Sequence, residues 1–268
     1  MTIELEHRVH PSTRGPVHYW SAGTGEAVVL LHGATVDHRL WQHQLEPFAA
    51  DFRVLAVDLP AHGRSRPYAP FSLARCAGEV AAILDREGVA RAHLVGQSMG
   101  GYIAQVLALE YPDRVASFVG VDTSPFDASY YSTVDRLLLA VTPALLALYP
   151  QGMLVEGIAA NSAASEAGRA YMREVLAGMG KAEIRRIMAE VYRGLLAYAD
   201  RRFQLACPAF LVVGELDVTG KVLAYSQRWA AAEDLELYVV PGGGHNSNFD
   251  APEPFNQAVL AFLRGLPR

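Results

Sequence analysis

Short runs of apolar residues recur along the chain without polar interruption: Ala27–Leu31, Val54–Val57, Phe118–Val121, Phe210–Val213 and Leu237–Val240, with His93–Val95 a shorter case. A strand with one wet face alternates apolar and polar positions, whereas a strand covered on both faces does not. These runs therefore predict buried strands of a parallel sheet. Thr2–Glu6 and Val17–Ser21 read instead as half-buried strands ahead of the glycine-rich turn Ala22–Gly25. Between the runs the period lengthens to that of a helix. Trp41, Leu45 and Phe48 share one face; Cys76–Glu87 carries Val80, Ile83 and Leu84; Tyr102–Leu109 and Pro254–Leu263 repeat the pattern. Strand, helix, strand in repetition implies right-handed crossovers and a doubly wound, mostly parallel α/β sheet.

The rhythm fails between residues 125 and 204. Leu137/Leu138, Leu145/Leu146, Tyr171, Val175, Ile184, Ile187, Val191 and Leu195 keep helical spacing there, and no strand run appears. The expected organisation is one core domain, residues 1–124 and 205–268, interrupted by an all-helical insertion at 125–204. No heptad or apolar stripe is sustained far enough to predict an oligomeric state.

Composition narrows the class. With 51% hydrophobic residues the chain can bury a large core, which excludes global disorder. A net charge of −5 without any Lys/Arg cluster excludes a nucleic-acid surface. The amino-terminal residues lack a signal-peptide pattern, and no apolar run approaches a bilayer span, so a cytoplasmic, membrane-free protein is expected. Cys76 and Cys207 form neither a disulfide framework nor a zinc motif.

Chemistry enters at Gly96-Gln97-Ser98-Met99-Gly100, which follows an apolar run and opens a helical pattern. A serine on a sharp strand-to-helix turn lifts its hydroxyl clear of the sheet, and the flanking glycines remove Cβ atoms that would collide across the turn. A serine hydroxyl needs an adjacent base. His245, on the glycine-rich loop past Leu237–Val240, is the candidate. The histidine needs an acid to fix its tautomer, and Asp217 ends the segment Val212–Asp217 just beyond a buried strand. Asp122, which ends Phe118–Val121, is the competing acid. Two backbone N–H groups should face the developing oxyanion: Met99, directly after Ser98, and Ala34, on the loop His32-Gly33-Ala34-Thr35.

These segments resemble the α/β-hydrolase superfamily over nearly the whole chain. The resemblance rests on Leu30-Leu31-His32-Gly33, Asp58-Leu59-Pro60-Ala61-His62-Gly63-Arg64-Ser65, Gly96–Gly101, Gly214-Glu215-Leu216-Asp217 and Gly243-Gly244-His245. It implies the triad order Ser98, Asp217, His245 and a structural role for Asp58 and His62; no metal or organic cofactor is implied. Ala61 departs from the family's usual glycine. A serine nucleophile argues against the dehalogenase and epoxide hydrolase branches. In this family an insertion at 125–204 is a lid over the nucleophile. Its methionines and tyrosines (Met153, Met172, Met179, Met188, Tyr130, Tyr131, Tyr149, Tyr192) would form the lid's own core or line an apolar pocket, and Phe126 is best placed to face a small-molecule substrate. The resemblance implies hydrolysis of a small carboxylic ester, lactone or thioester. The alternatives are carbon–carbon bond hydrolysis of a vinylogous diketone, for which Arg186 and Arg193 are candidate anion-binding groups, and a low-turnover ligand sensor.

Overall fold

The computed structural model describes residues 3–146, 148–201 and 204–267. Among these residues eight strands form one sheet: β1 (Glu6–His10), β2 (Val17–Ala22), β3 (Ala27–Leu31), β4 (Arg53–Val57), β5 (Ala92–Gln97), β6 (Val115–Val121), β7 (Ala209–Gly214) and β8 (Glu236–Val240). Their spatial order is β1-β2-β4-β3-β5-β6-β7-β8, antiparallel at the β1–β2 and β2–β4 pairs and parallel elsewhere. Every residue of β3 and β5 is buried, as continuous apolar runs demand of strands covered on both faces.

Among the described residues ten α-helices surround or interrupt the sheet: α1 (Leu45–Ala49), α2 (Leu73–Arg86), α3 (Met99–Glu110), α4 (Thr133–Leu146), α5 (Gln151–Ser162), α6 (Glu166–Ala177), α7 (Lys181–Tyr198), α8 (Val222–Glu233), α9 (Ser247–Asp250) and α10 (Pro252–Gly265). The start of α2 lies three residues ahead of the apolar repeat because Ser72 caps it, its side chain accepting the N–H of Arg75. Val80, Ile83 and Leu84 then face the sheet, and Phe255, Val259 and Leu263 of α10 do the same near the carboxyl end. Helices α4 to α7 all lie between β6 and β7, where the helical insertion was expected. Among the described residues no helix is long and apolar enough to cross a membrane.

Two expectations are corrected. The first strand is not Thr2–Glu6 but Glu6–His10; Thr2 itself lies outside the described residues. The hairpin decides this: β1 must pair with β2 directly across the turn that starts at Pro11, and His10 meets Val17 there. The alternation of Ile3 and Leu5 suggested a strand that the pairing does not extend to cover. The second correction concerns the helical segment. Tyr149 and Met153, expected in its core or lining a pocket, stand exposed, as do Leu137, Leu138 and Leu145 of α4. The core of that segment is built by Met172, Met179, Ile184, Ile187 and Val191 instead. An apolar stripe is thus present where none was read.

Candidate active site

Ser98 occupies the turn between β5 and α3 with φ +50° and ψ −113°, a conformation that L residues rarely adopt. The strain persists because the surroundings leave no room for an alternative. A Cβ on Gly96 would lie 2.5 Å from the carbonyl oxygen of Gly100, and one on Gly100 would lie 2.0 Å from that of Leu31. Ser98 remains partly accessible at the end of a fully buried strand.

The hydroxyl Oγ lies 2.9 Å from Nε2 of His245, and Nδ1 of the same ring lies 2.8 Å from Oδ2 of Asp217. The consistent tautomer has Nδ1–H donating to Asp217, leaving Nε2 to accept from Ser98. Asp217 is held in turn by the N–H of Thr219, at 2.8 Å from its Oδ1. Burial disfavours the charged imidazole, but the charge and hydrogen bond of Asp217, with a smaller contribution from Asp122, outweigh it and raise the pKa of His245.

Asp122 does not take the acid's place. Its Oδ1 accepts the N–H of Gly214 at 2.7 Å, and its Oδ2 accepts the N–H and Oγ–H of Ser247 at 3.0 and 2.7 Å. It therefore clamps the end of β7 and the histidine loop to the end of β6. Burial, aided by the negative charge of Asp217, pushes its carboxyl up to about 8. Asp250 performs a related task on the outside. It accepts the N–H of Gly244 at 2.9 Å, those of Ala164 and Ser165 at 2.8 and 2.9 Å, and the hydroxyl of Ser165 at 2.6 Å. The N–H of Asn246 donates to the carbonyl of Ser162 at 2.8 Å. The junction of α5 and α6 is thereby tied to the loop that carries His245.

Of the expected oxyanion donors, the N–H of Met99 belongs to the first residue of α3, where helix amides lack intrahelical partners and favour negative charge. Ala34 follows Gly33, whose position beside the serine is tight: a Cβ there would lie 3.4 Å from Cβ of Ser98 and 2.1 Å from Oε1 of Gln97. Gln97 was not anticipated. Fully buried, it donates from Nε2 to the carbonyl of His245 at 2.7 Å while its Oε1 fills the space beside Gly33. One amide side chain so joins the loops of Gly33, Ser98 and His245. The missing side chain at Gly33 is the only sequence trace of it.

Asp58 and His62 have packing roles. Asp58 accepts from the backbone and ring of His38, at 2.8 and 2.7 Å, and from the N–H of Arg64 at 2.7 Å. His62 donates from Nδ1 to the carbonyl of Pro60, and burial pulls its pKa down to about 3, so it stays neutral. Asp37, His38 and Asp58 each bring one potential ligand atom within 4.8 Å of the others, but these atoms already cap a helix, bind Arg39 and hold the loop. Phe126 is buried with its ring 5.3 Å from that of Tyr198. Two open cavities of about 630 and 680 Å³ flank α7 and meet at Arg186, and Arg193 lines the first with its side chain paired to Glu190.

A serine on a strained strand-to-helix turn, a histidine in hydrogen-bond reach of it and a sheet of this order define a class. The chain belongs to the α/β-hydrolase fold family, whose profile matches residues 26–252. It is 30% identical over 258 residues to the pimeloyl-acyl-carrier-protein methyl ester esterase of Yersinia enterocolitica, covering 92% of this chain and 97% of that one. It is 29% identical over 296 residues to the 2-hydroxy-6-oxononadienedioate/2-hydroxy-6-oxononatrienedioate hydrolase of Burkholderia vietnamiensis, covering 98% and 96%. A shorter stretch of 96 residues is 45% identical to the dihydrolipoyllysine-residue acetyltransferase component of the acetoin cleaving system of Cupriavidus necator, and this match spans only 26% of that protein. Among solved structures, a hydrolase from Pseudomonas aeruginosa superposes with a TM-score of 0.80 at 25% identity, over 97% of this chain and 98% of that one.

Proposed function

We propose that this protein is a serine hydrolase that cleaves a small-molecule carboxylic ester, lactone or thioester through an acyl-enzyme on Ser98. The observation that carries the reading is the continuous relay from Ser98 Oγ through His245 to Asp217, with contacts of 2.9 and 2.8 Å. His245 Nε2 takes the hydroxyl proton as Oγ attacks the carbonyl carbon, and the N–H groups of Met99 and Ala34 receive the oxyanion. Collapse breaks the bond to the leaving alcohol or thiol, which takes the proton from Nε2. Water then attacks the acyl-enzyme, again giving its proton to His245, and the acid departs as Ser98 recovers its hydrogen. Asp217 keeps Nδ1–H oriented throughout and stabilises the transient imidazolium.

In this reading residues 125–204 form a lid, supported by the hydrogen bonds that tie the α5–α6 junction to the histidine loop. Phe126 is assigned to the pocket wall from its place at the start of that segment. Carbon–carbon bond hydrolysis is the second reading, favoured by the similarity to the Burkholderia enzyme.

A fluorophosphonate probe tests the nucleophile, and a panel of esters, lactones, thioesters and a dienone tests the bond cleaved. Labelling and ester turnover that both vanish in Ser98→Ala are expected. Folded protein that takes no label refutes a serine mechanism, and a dominant dienone rate transfers the assignment to the second reading.

A further inference from the structure

The apolar face of a helix normally packs against the rest of the protein; much of the apolar side of α4 does not. Among the described residues fourteen large apolar side chains stand exposed, and eight of them lie between Val134 and Met153. Val134, Leu138, Val141 and Leu145 line one side of α4, and Leu148, 77% exposed, continues the line into the following turn. Their intervals are four, three, four and three residues, the spacing that holds a narrow seam against a second helix. The stripe does not anchor the helix to its own domain, since Leu139 and Leu146 do that from another side.

The area is of the right size for a specific contact. At roughly 150–200 Å² for a fully exposed large side chain, the eight residues present on the order of 700–800 Å². That exceeds the ~300–600 Å² of the largest apolar patch on a usual monomer and matches the about 800 Å² that each partner contributes to a standard interface.

Charge selects the occupant. The stripe itself carries no charge, although Arg136 stands on the same helix and Arg185, Arg186 and Arg193 of α7 line the cavity beside Leu139, Ala140 and Ala144; the chain carries a net charge of −5. A helix lying on a lipid surface relies on flanking cations, and anionic headgroups repel a negative protein. Within the stripe a charged protein partner finds nothing to pair with, whereas an uncharged apolar stripe is complementary to itself, which is what a two-fold interface requires. We infer that α4 is the interface of a homodimer. Two copies of the helix pack antiparallel with Val141 on the two-fold axis; Val134 of one copy meets Leu148 of the other, and Leu138 meets Leu145. The inference uses no part of the Ser98 relay and stands or falls separately from the proposed chemistry.

Sedimentation velocity and light scattering on the full chain, from micromolar to near-millimolar concentration, test it. A concentration-dependent dimer is expected, with Leu138→Glu/Leu145→Glu raising its Kd by ~100-fold or more while circular dichroism and Tm stay those of the wild type. Should that variant misfold, Val141→Cys in a Cys207→Ser background gives the decision: oxidation should cross-link it as a dimer, and failure to cross-link refutes the antiparallel pairing. A wild type that stays monomeric overturns the inference, as does a dimer indifferent to the charged pair. A monomer that co-floats with phosphatidylcholine vesicles reassigns the stripe to a lipid surface.

Discussion

Exchanging the oxygen of Asp217 that faces His245 for an amide nitrogen removes the acceptor of the ring's Nδ1–H. In Asp217→Asn the imidazole loses both the 2.8 Å hydrogen bond and the charge that raises its pKa against the opposing effect of burial. It becomes a weaker base and is free to adopt the tautomer with Nε2–H, which cannot accept from Ser98. Losses of about 10⁴-fold in kcat follow from such a change in serine hydrolases with this relay, or roughly 5.5 kcal/mol of transition-state stabilisation at ~1.4 kcal/mol per factor of ten. The same substitution at Asp122 leaves the acceptor of the ring's Nδ1–H in place and instead sets an amide nitrogen, which cannot accept, against the N–H of Gly214 or Ser247, loosening one clamp on the histidine loop. A loss of about tenfold or less, near 1.4 kcal/mol, is expected there. Hydrolysis of a p-nitrophenyl ester by the two purified variants measures both. Comparable losses, or the larger one at Asp122, would refute the division of roles. Stability supplies a second contrast. A carboxyl pushed from 3.8 up to about 8 binds its proton more tightly in the folded protein, so folding loses stability as pH rises across that window. Asp122→Asn should therefore gain on the wild type in Tm between pH 5 and 8; a constant difference contradicts the buried acid.

Because only the neutral imidazole can take the Ser98 proton, kcat/KM should fall as pH drops through the raised pKa of His245, with a midpoint above 6.5; a midpoint at or below that value denies the influence of Asp217. Gln97→Leu removes the amide that ties the Gly33, Ser98 and His245 loops together and should lower kcat by about 10–100-fold, with KM within about twofold. Steady-state kinetics on the folded variant decides this, since a purely structural defect would lower Tm and spare kcat. Ala61 sits at φ +67°, so Ala61→Gly should stabilise the fold by up to about 1 kcal/mol in denaturant unfolding.

The relay was legible because each member follows a continuous apolar run; β5, β6 and β7 are buried as such runs predict, whereas β8, at the edge of the sheet, buries only Val240 and corrects the expectation there. Val95, Val121, Val213 and Val240 lie in uninterrupted apolar runs, so Ser98, Asp122, Asp217 and His245 were predicted to share one edge of the sheet. Asp217 was read as the acid from its place beyond a buried strand, with Asp122 the competitor because it ends the neighbouring strand; the hydrogen bonds that occupy Asp122 at Gly214 and Ser247 separate the two. Gln97 was invisible for a different reason: an amide in the variable position of a serine elbow carries no pattern until the space above Gly33 is measured. The first strand was misplaced because alternation marks a wettable face but not the pairing partner, which the hairpin fixes. The exposure of the α4 leucines was not legible because sequence periodicity finds the face of a helix without telling whether anything covers it.

The order of the strands also bears on how the chain must be born. β6 is complete at Val121, yet its neighbour β7 arrives only after the whole of α4 to α7, and β8 later still. During synthesis the hydrophobic edge of β6 stands open while a helical segment with its own exposed leucines emerges beside it, the condition under which strand edges aggregate. The relay cannot exist until β8 has docked, so catalysis reports on completed folding. A chain that stalls or is cut before Ala209 leaves Ser98 raised at the end of a half-built sheet, with neither the base nor the acid assigned to activate it.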